Sequence, residues 1–287
     1  MQPPNETMSQ PPSQLALADK TFSWRDGRKW FDAGLNYFKQ VKNYWYLACM
    51  AVGTLLILIG QLAPPLMALV IIFASPIITA FMVSCCHQVK QNQPLSFNQL
   101  WQPVTNNMAA ILFLGMVSAL LSLLFNAIHE QVLNFLGLPI ELTEAMVRDM
   151  SGKESLLRAL LSLLTSLPLA LALAFSPALI ALNRYPTLTA ITLSIQGVVK
   201  AWRSFLMLTL LFILVFFGVV VIASVAIAVV QGVLGSGGQL LTQLIVMFFV
   251  LTAAGIGLCA QYQAYTEIFT AASDQEGDDG TEIYTEI

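Results

Sequence analysis

The sequence predicts an all-α fold: a polytopic transmembrane helical bundle of about six spans, with interfacial amphipathic helices beside them. Three observations predict it. Hydrophobic residues make up 57% of the 287-residue chain and charged residues only 10%, where a soluble domain carries roughly 25% charged residues. The apolar residues arrive in blocks of about twenty or more, the length a helix needs to cross a hydrocarbon layer of about 30 Å. Lysine and arginine gather in some connecting segments and are missing from others, the asymmetry that sets membrane orientation.

Residues 1–20 hold Pro3, Pro4, Pro11 and Pro12 among Gln, Ser and Asn. They read as a disordered tail, because such a composition buries too little apolar surface to offset the entropy of ordering. No apolar signal-peptide core is visible there, so the first span is expected to act as the insertion signal. Over 21–43, Phe31, Leu35 and Phe38 recur at helical spacing toward Trp45, with Arg28, Lys29, Lys39 and Lys42 between them. That pattern predicts an amphipathic helix lying in the membrane interface.

The membrane domain, 44–270, is read as spans at 44–63, 66–86, 108–128, 156–183, 205–230 and 239–264. Tyr44, Trp45 and Tyr46 open the first, and Pro64-Pro65 turns it into the second. Ser151-x-x-Glu154 is a capping-box pattern ahead of the fourth. Pro168 and Pro177 lie within that span, and each favours a kink because it lacks a backbone donor. Leu188, Ile191, Ile195, Val198 and Trp202 form one apolar helical stripe before the fifth span. Glycines from Gly232 to Gly238 mark a turn into the sixth, and 271–287 is read as an acidic disordered tail. The four cysteines, Cys49, Cys85, Cys86 and Cys259, all fall in apolar segments, so a secreted disulfide framework is not expected.

Ten of the thirteen lysines and arginines fall on one side of this threading, leaving Arg148, Lys153 and Arg158 on the other. The positive-inside rule therefore predicts that both termini are cytoplasmic. The second and fourth spans also echo one another. Phe73-Ala74-Ser75-Pro76 resembles Phe175-Ser176-Pro177, and Trp101 and Trp202 each follow 25 residues after the proline. A parallel internal repeat and chance similarity between two hydrophobic hairpins both account for the echo.

The run from Ser176-Pro177-Ala178-Leu179 through Ala190 and Ser194 to Trp202 and Phe205 resembles a family of bacterial polytopic inner-membrane proteins of uncharacterised function. Gln93-Pro94-Leu95-Ser96-Phe97 with Leu100, and Tyr262, Tyr265, Glu267, Ile268 and Phe269, are similar to further parts of that family's pattern. Ala201 departs from it, as does the long acidic tail. The resemblance implies a bacterial inner-membrane location and about six spans, and implies no activity.

No catalytic set, nucleotide-binding pattern or cofactor motif is present, so no enzyme is expected. Cys85-Cys86-His87, with Cys49 and Cys259 at similar depth, carries ligand types suited to zinc or copper(I). Free cysteines in apolar helices are more often small buried residues, and no metal site is assigned. Ser75, Pro76, Thr79, Ser176, Pro177 and Asn183 are the candidate kink or cavity-lining residues, since unwound backbone at a proline can line a cavity. Trp45, Trp101 and Trp202 are read as interfacial anchors. The expected partners are the lipid bilayer and other membrane proteins, with no nucleic acid. The expected role is non-catalytic, in envelope organisation or a membrane complex, and the alternative is a transporter or channel-like component for a small neutral or amphipathic solute.

Overall fold

Within lipid every backbone N–H and C=O must be satisfied inside its own segment, so long apolar blocks become helices. The computed structural model describes residues 15–63, 66–140, 146, 150–234 and 238–271. Its helices are α1 (Trp24–Leu62), α2 (Leu66–Lys90), α3 (Phe97–Asn106), α4 (Met108–Phe135), α5 (Gly152–Leu173), α6 (Ser176–Asn183), α7 (Thr187–Lys200), α8 (Trp202–Leu234) and α9 (Gln239–Ile268). Two short strands, β1 (Leu15–Leu17) and β2 (Phe269–Ala271), pair antiparallel, with Ala16 opposite Thr270. Among the described residues, six stretches are long and apolar enough to cross a membrane: α1, α2, α4, α5 together with α6, α8 and α9. The protein is an all-α, multi-pass membrane protein.

The structure corrects the reading of 21–43 as a separate interfacial helix. α1 is one continuous helix of 39 residues, about 58 Å long at 1.5 Å per residue, roughly twice the hydrocarbon thickness. Neither proline nor glycine interrupts it near Asn43, so the helix runs on into the span. Its first half is packed against protein, with Trp30, Phe38, Val41 and Trp45 buried. Two glycines permit that approach: a Cβ on Gly34 would lie 2.7 Å from Ala260, and one on Gly255 would lie 2.4 Å from the Phe38 ring.

A second correction concerns residues 15–20, which belong to the folded structure. Leu15–Leu17 forms β1, the Ala18 N–H donates to the Ile268 carbonyl at 2.8 Å, and the Leu15 N–H donates to the Tyr185 hydroxyl at 2.9 Å. The apolar run Leu15, Leu17, Ala18 and Phe22 supplies the burial that the proline-rich part of the tail lacks; Ala18 and Phe22 are both in the core. Residues 1–14 and the acidic tail from 272 lie outside the described residues, while Ala271, assigned to that tail from the sequence, closes β2.

Burial is polarised along the bundle. One end, the terminal end, gathers β1, β2, α3, α6, α7 and the adjoining turns of the long helices, and holds Trp30, Phe81, Cys86, Leu100, Phe175, Leu179, Tyr262 and Ile268 in one apolar core. Beyond it the long helices splay into apolar surface, with Leu62 85%, Phe217 68% and Phe135 90% exposed, as expected of side chains that lipid covers. The repeated order of parts is visible, since α3 follows α2 and α7 follows α6. The proline geometry differs: Pro76 sits inside continuous α2, whereas Pro177 opens a new helix after a break.

Candidate functional site

The break between α5 and α6 adjoins the site through Gln261, which meets both. α5 ends at Leu173 and α6 begins at Ser176, with Pro177 in its first turn, where a missing N–H costs no helical bond. The loose backbone groups are taken up by neighbouring helices. Ser194 of α7 accepts from the Phe175 N–H at 2.9 Å and donates to the Leu171 carbonyl at 2.8 Å. Gln261 of α9 donates its amide to the Ala174 carbonyl. At the far end of α6, Arg184 turns in the left-handed region with φ 58°, the Tyr265 hydroxyl donates to Asn183, and Asn107 donates to the Ala181 carbonyl at 3.3 Å. Within a bilayer such groups would cost several kcal/mol each if left unpaired.

Gln261 also lines a cleft of about 610 Å³ bounded by α1, α2, α8 and α9. Its walls are apolar, formed by side chains such as Leu56, Ile71, Ile78, Leu208 and Leu258. Its polar lining comes from Ser75 and Thr79 of α2, Gln261 and the Trp45 indole, and among the described residues no ionisable side chain lines it. The Trp45 Nε1–H donates to the Leu251 carbonyl at 2.8 Å, and Thr79 donates to the Ser75 carbonyl at 2.9 Å. Beside them Tyr46 is 2.7 Å from the Thr252 hydroxyl. The Trp45 bond and the Tyr46–Thr252 contact tie α1 to α9 along one wall of the cleft.

Compared with protein-family models, with curated proteins and with solved structures, the chain matches none.

The structure divides the candidate residues. Ser75 and Thr79 line the cleft, while Pro76 is buried in the same helix and is not part of the lining. Ser176 is fully buried with its hydroxyl turned onto the Ala172 carbonyl, Pro177 is buried beside it, and Asn183 is held by Tyr265. Of these six kink or cavity-lining candidates, Ser75 and Thr79 line the cleft and Pro177 marks the break, whose polar groups are consumed by structure. Among the tryptophans, Trp202 is 50% exposed with Arg203 over its ring, and Trp101 stacks on Phe97, both placements suited to a membrane interface. Trp45 is corrected from anchor to cleft wall, being only 4% exposed.

The cysteines converge only in part. Cys86 Sγ lies 3.3 Å from Cys259 Sγ, whereas Cys49 stands apart from that contact and His87 Nδ1 is 3.0 Å from the Tyr262 hydroxyl. Among the described residues no group of three or more His, Cys, Asp or Glu is arranged to hold a metal ion.

The residues that sequence reasoning did not place at the site are Gln261, Phe205, Leu208 and Ser194. Gln261 carried a signal, as an amide near the end of an apolar span, but the sequence alone could not say which carbonyl it meets.

An ionic network closes the terminal end. Lys20 Nζ lies 3.4 Å from Glu267 and 3.6 Å from Asp26, and Lys29 Nζ lies 3.3 Å from Asp26. Tyr37 donates to Gln263 at 3.2 Å, and Gln263 donates to Glu267 at 2.9 Å. Asp26 lies in the first turn of α1, outside the span at 44–63. Burial alone would raise its carboxyl, and the Ser23 N–H and hydroxyl, Lys29 and Lys20 outweigh that, bringing it from 3.8 to about 2.

Proposed function

We propose that this is a non-catalytic multi-pass protein of the bacterial inner membrane, with both termini cytoplasmic, that holds an uncharged amphipathic molecule taken from the bilayer. The cleft carries this reading: its walls are apolar, its polar atoms are neutral hydrogen-bonding groups, and its volume falls in the range of ligand sites. A charged headgroup would meet no counter-ion there, and an uncharged one would meet hydroxyl and amide partners. The bacterial inner membrane rests on the resemblance carried by residues 176–205, 93–100 and 262–269, and the orientation on the ten lysines and arginines that the threading puts on one side.

Cysteine accessibility tests the reading. Cysteine introduced at Ser75 or Thr79 reacts with a membrane-permeant maleimide, and an excess of a long-chain alcohol slows that reaction. Cysteine at Ser176 or Asn183 stays protected. Protection at Ser75 and Thr79 as well would exclude a ligand-accessible cleft. A role as a membrane-complex partner is the second reading, favoured by the apolar surface that the splayed ends of α1, α4 and α8 leave uncovered. It requires one reproducible neighbour on gentle extraction, and it leaves the alcohol without effect.

A further inference from the structure

A second apolar concavity lies nearer the start of α1, against Phe31 and Leu35 where the cleft is lined by Trp45, Val52 and Leu56. It is a groove of about 570 Å³ between α8 and α9, with Phe31 and Leu35 of α1 at its terminal end. We propose that this groove holds one acyl chain of an anionic phospholipid whose phosphate diester sits on Arg28 and Lys39. The inference does not depend on the cleft, because the two concavities share no lining residue.

Four positions on α1 carry the argument. Residues 28, 31, 35 and 39 follow at steps of three, four and four, so they form one stripe of the helix. The two inner members, Phe31 and Leu35, line the groove, and Phe31 meets Phe212 of α8 edge to face at 5.3 Å. The two outer members are cations with solvent-facing side chains, Arg28 being 75% exposed. The groove mouth is thus bracketed by positive charge one helical turn to either side. Among the described residues the carboxylate paired with Arg28 is Asp32, 4.0 Å away and 63% exposed, an ion pair of the kind that contributes little and yields readily to a competing anion.

The shape selects a chain over a helix. Along α8 the groove runs from Thr209 to Ile227, about 27 Å at 1.5 Å per residue, which exceeds the roughly 15 Å of hydrocarbon in one leaflet. A volume of about 570 Å³ over that length is a narrow slot, whereas a neighbouring helix is about 10 Å across with its side chains. Apart from Thr209 and Ser224 its lining is hydrocarbon, so a chain lying in it leaves no buried polar group unpaired.

The full-length protein, reconstituted in phosphatidylcholine nanodiscs containing a minor share of phosphatidylglycerol, is released into a native mass spectrometer and its retained lipids are counted. The expected result is retention of phosphatidylglycerol over phosphatidylcholine, reduced about fivefold for each cation removed in Arg28→Gln and Lys39→Gln. Asp32→Asn, which frees Arg28, increases retention, an effect that a merely structural role for the stripe does not produce. Ala253→Phe fills the groove wall and abolishes retention with every charge in place. Equal retention of the two lipids, or retention indifferent to the charge variants, overturns the proposal. So does displacement of the lipid by inorganic phosphate, which would mark an anion site without a chain, or a dimer that Ala253→Phe dissolves, which would mark a second copy as the occupant.

Discussion

At the scale of single residues, Ser194 and Asp26 show how polar groups are used in this chain. Ser194 is fully buried and serves two backbone groups of the broken helix at once. Ser194→Ala leaves the Phe175 N–H and the Leu171 carbonyl unpaired, at about 1–3 kcal/mol for each buried group. A Ser194→Ala protein therefore unfolds at a distinctly lower temperature in detergent, and an unchanged transition would show that the break does not depend on this hydroxyl. Asp26 makes a prediction in pH. Its carboxyl is depressed in the folded state, so its contribution is fully present above the ordinary value of 3.8 and is lost as pH falls toward about 2. The thermal midpoint of the native protein should fall over that interval, and Asp26→Asn should start lower and show a shallower decline.

At the scale of elements, the clasp between β1 and β2 fastens the first turn of α1 to the last turn of α9. Its attachments are the Ala18 to Ile268 bond, the Leu15 to Tyr185 bond and the Lys20 to Glu267 pair. Removing residues 15–20 exposes Phe22, Ile268 and Phe269 to water and opens Glu267. Limited proteolysis should then cut near Arg25 and Arg28 in the shortened protein and spare the intact one; equal resistance would mean that the clasp is dispensable. The clasp was hidden in the sequence because a three-residue strand has no periodicity of its own and its partner lies more than 250 residues away. The six apolar blocks were legible because membrane thickness dictates their length. The unbroken run of α1 was not, since a polar and basic face reads the same whether the helix lies on lipid or on protein, and only the buried Trp30 and Val41 distinguish the two.

At the scale of the whole molecule, a tightly packed terminal end supports helices that open into lipid, and the cleft lies where four of them part. Ser75 and Thr79 were visible in the sequence as polar residues beside a proline. The remainder of the site comes from helices far apart in the chain, and no spacing rule joins Trp45 to Thr79 and Gln261. Pro177 was expected to kink the fourth span or to line a cavity, and the break at which it stands is sealed by Ser194 and Gln261, so that the cleft forms beside it, while Pro168 stays inside α5. The central claim is that this cleft holds an uncharged amphiphile. It is tested most directly by photo-crosslinking a long-chain alcohol carrying a diazirine to the purified protein and mapping the labelled peptides. In the native protein the label falls on α2 and α9 near Thr79 and Leu258. In Gly257→Leu, whose new Cβ comes no closer than 3.7 Å to Phe212, the filled cleft excludes the probe and that labelling is lost. Labelling spread evenly over the lipid-facing surface of α8, and unchanged in Gly257→Leu, would contradict the account.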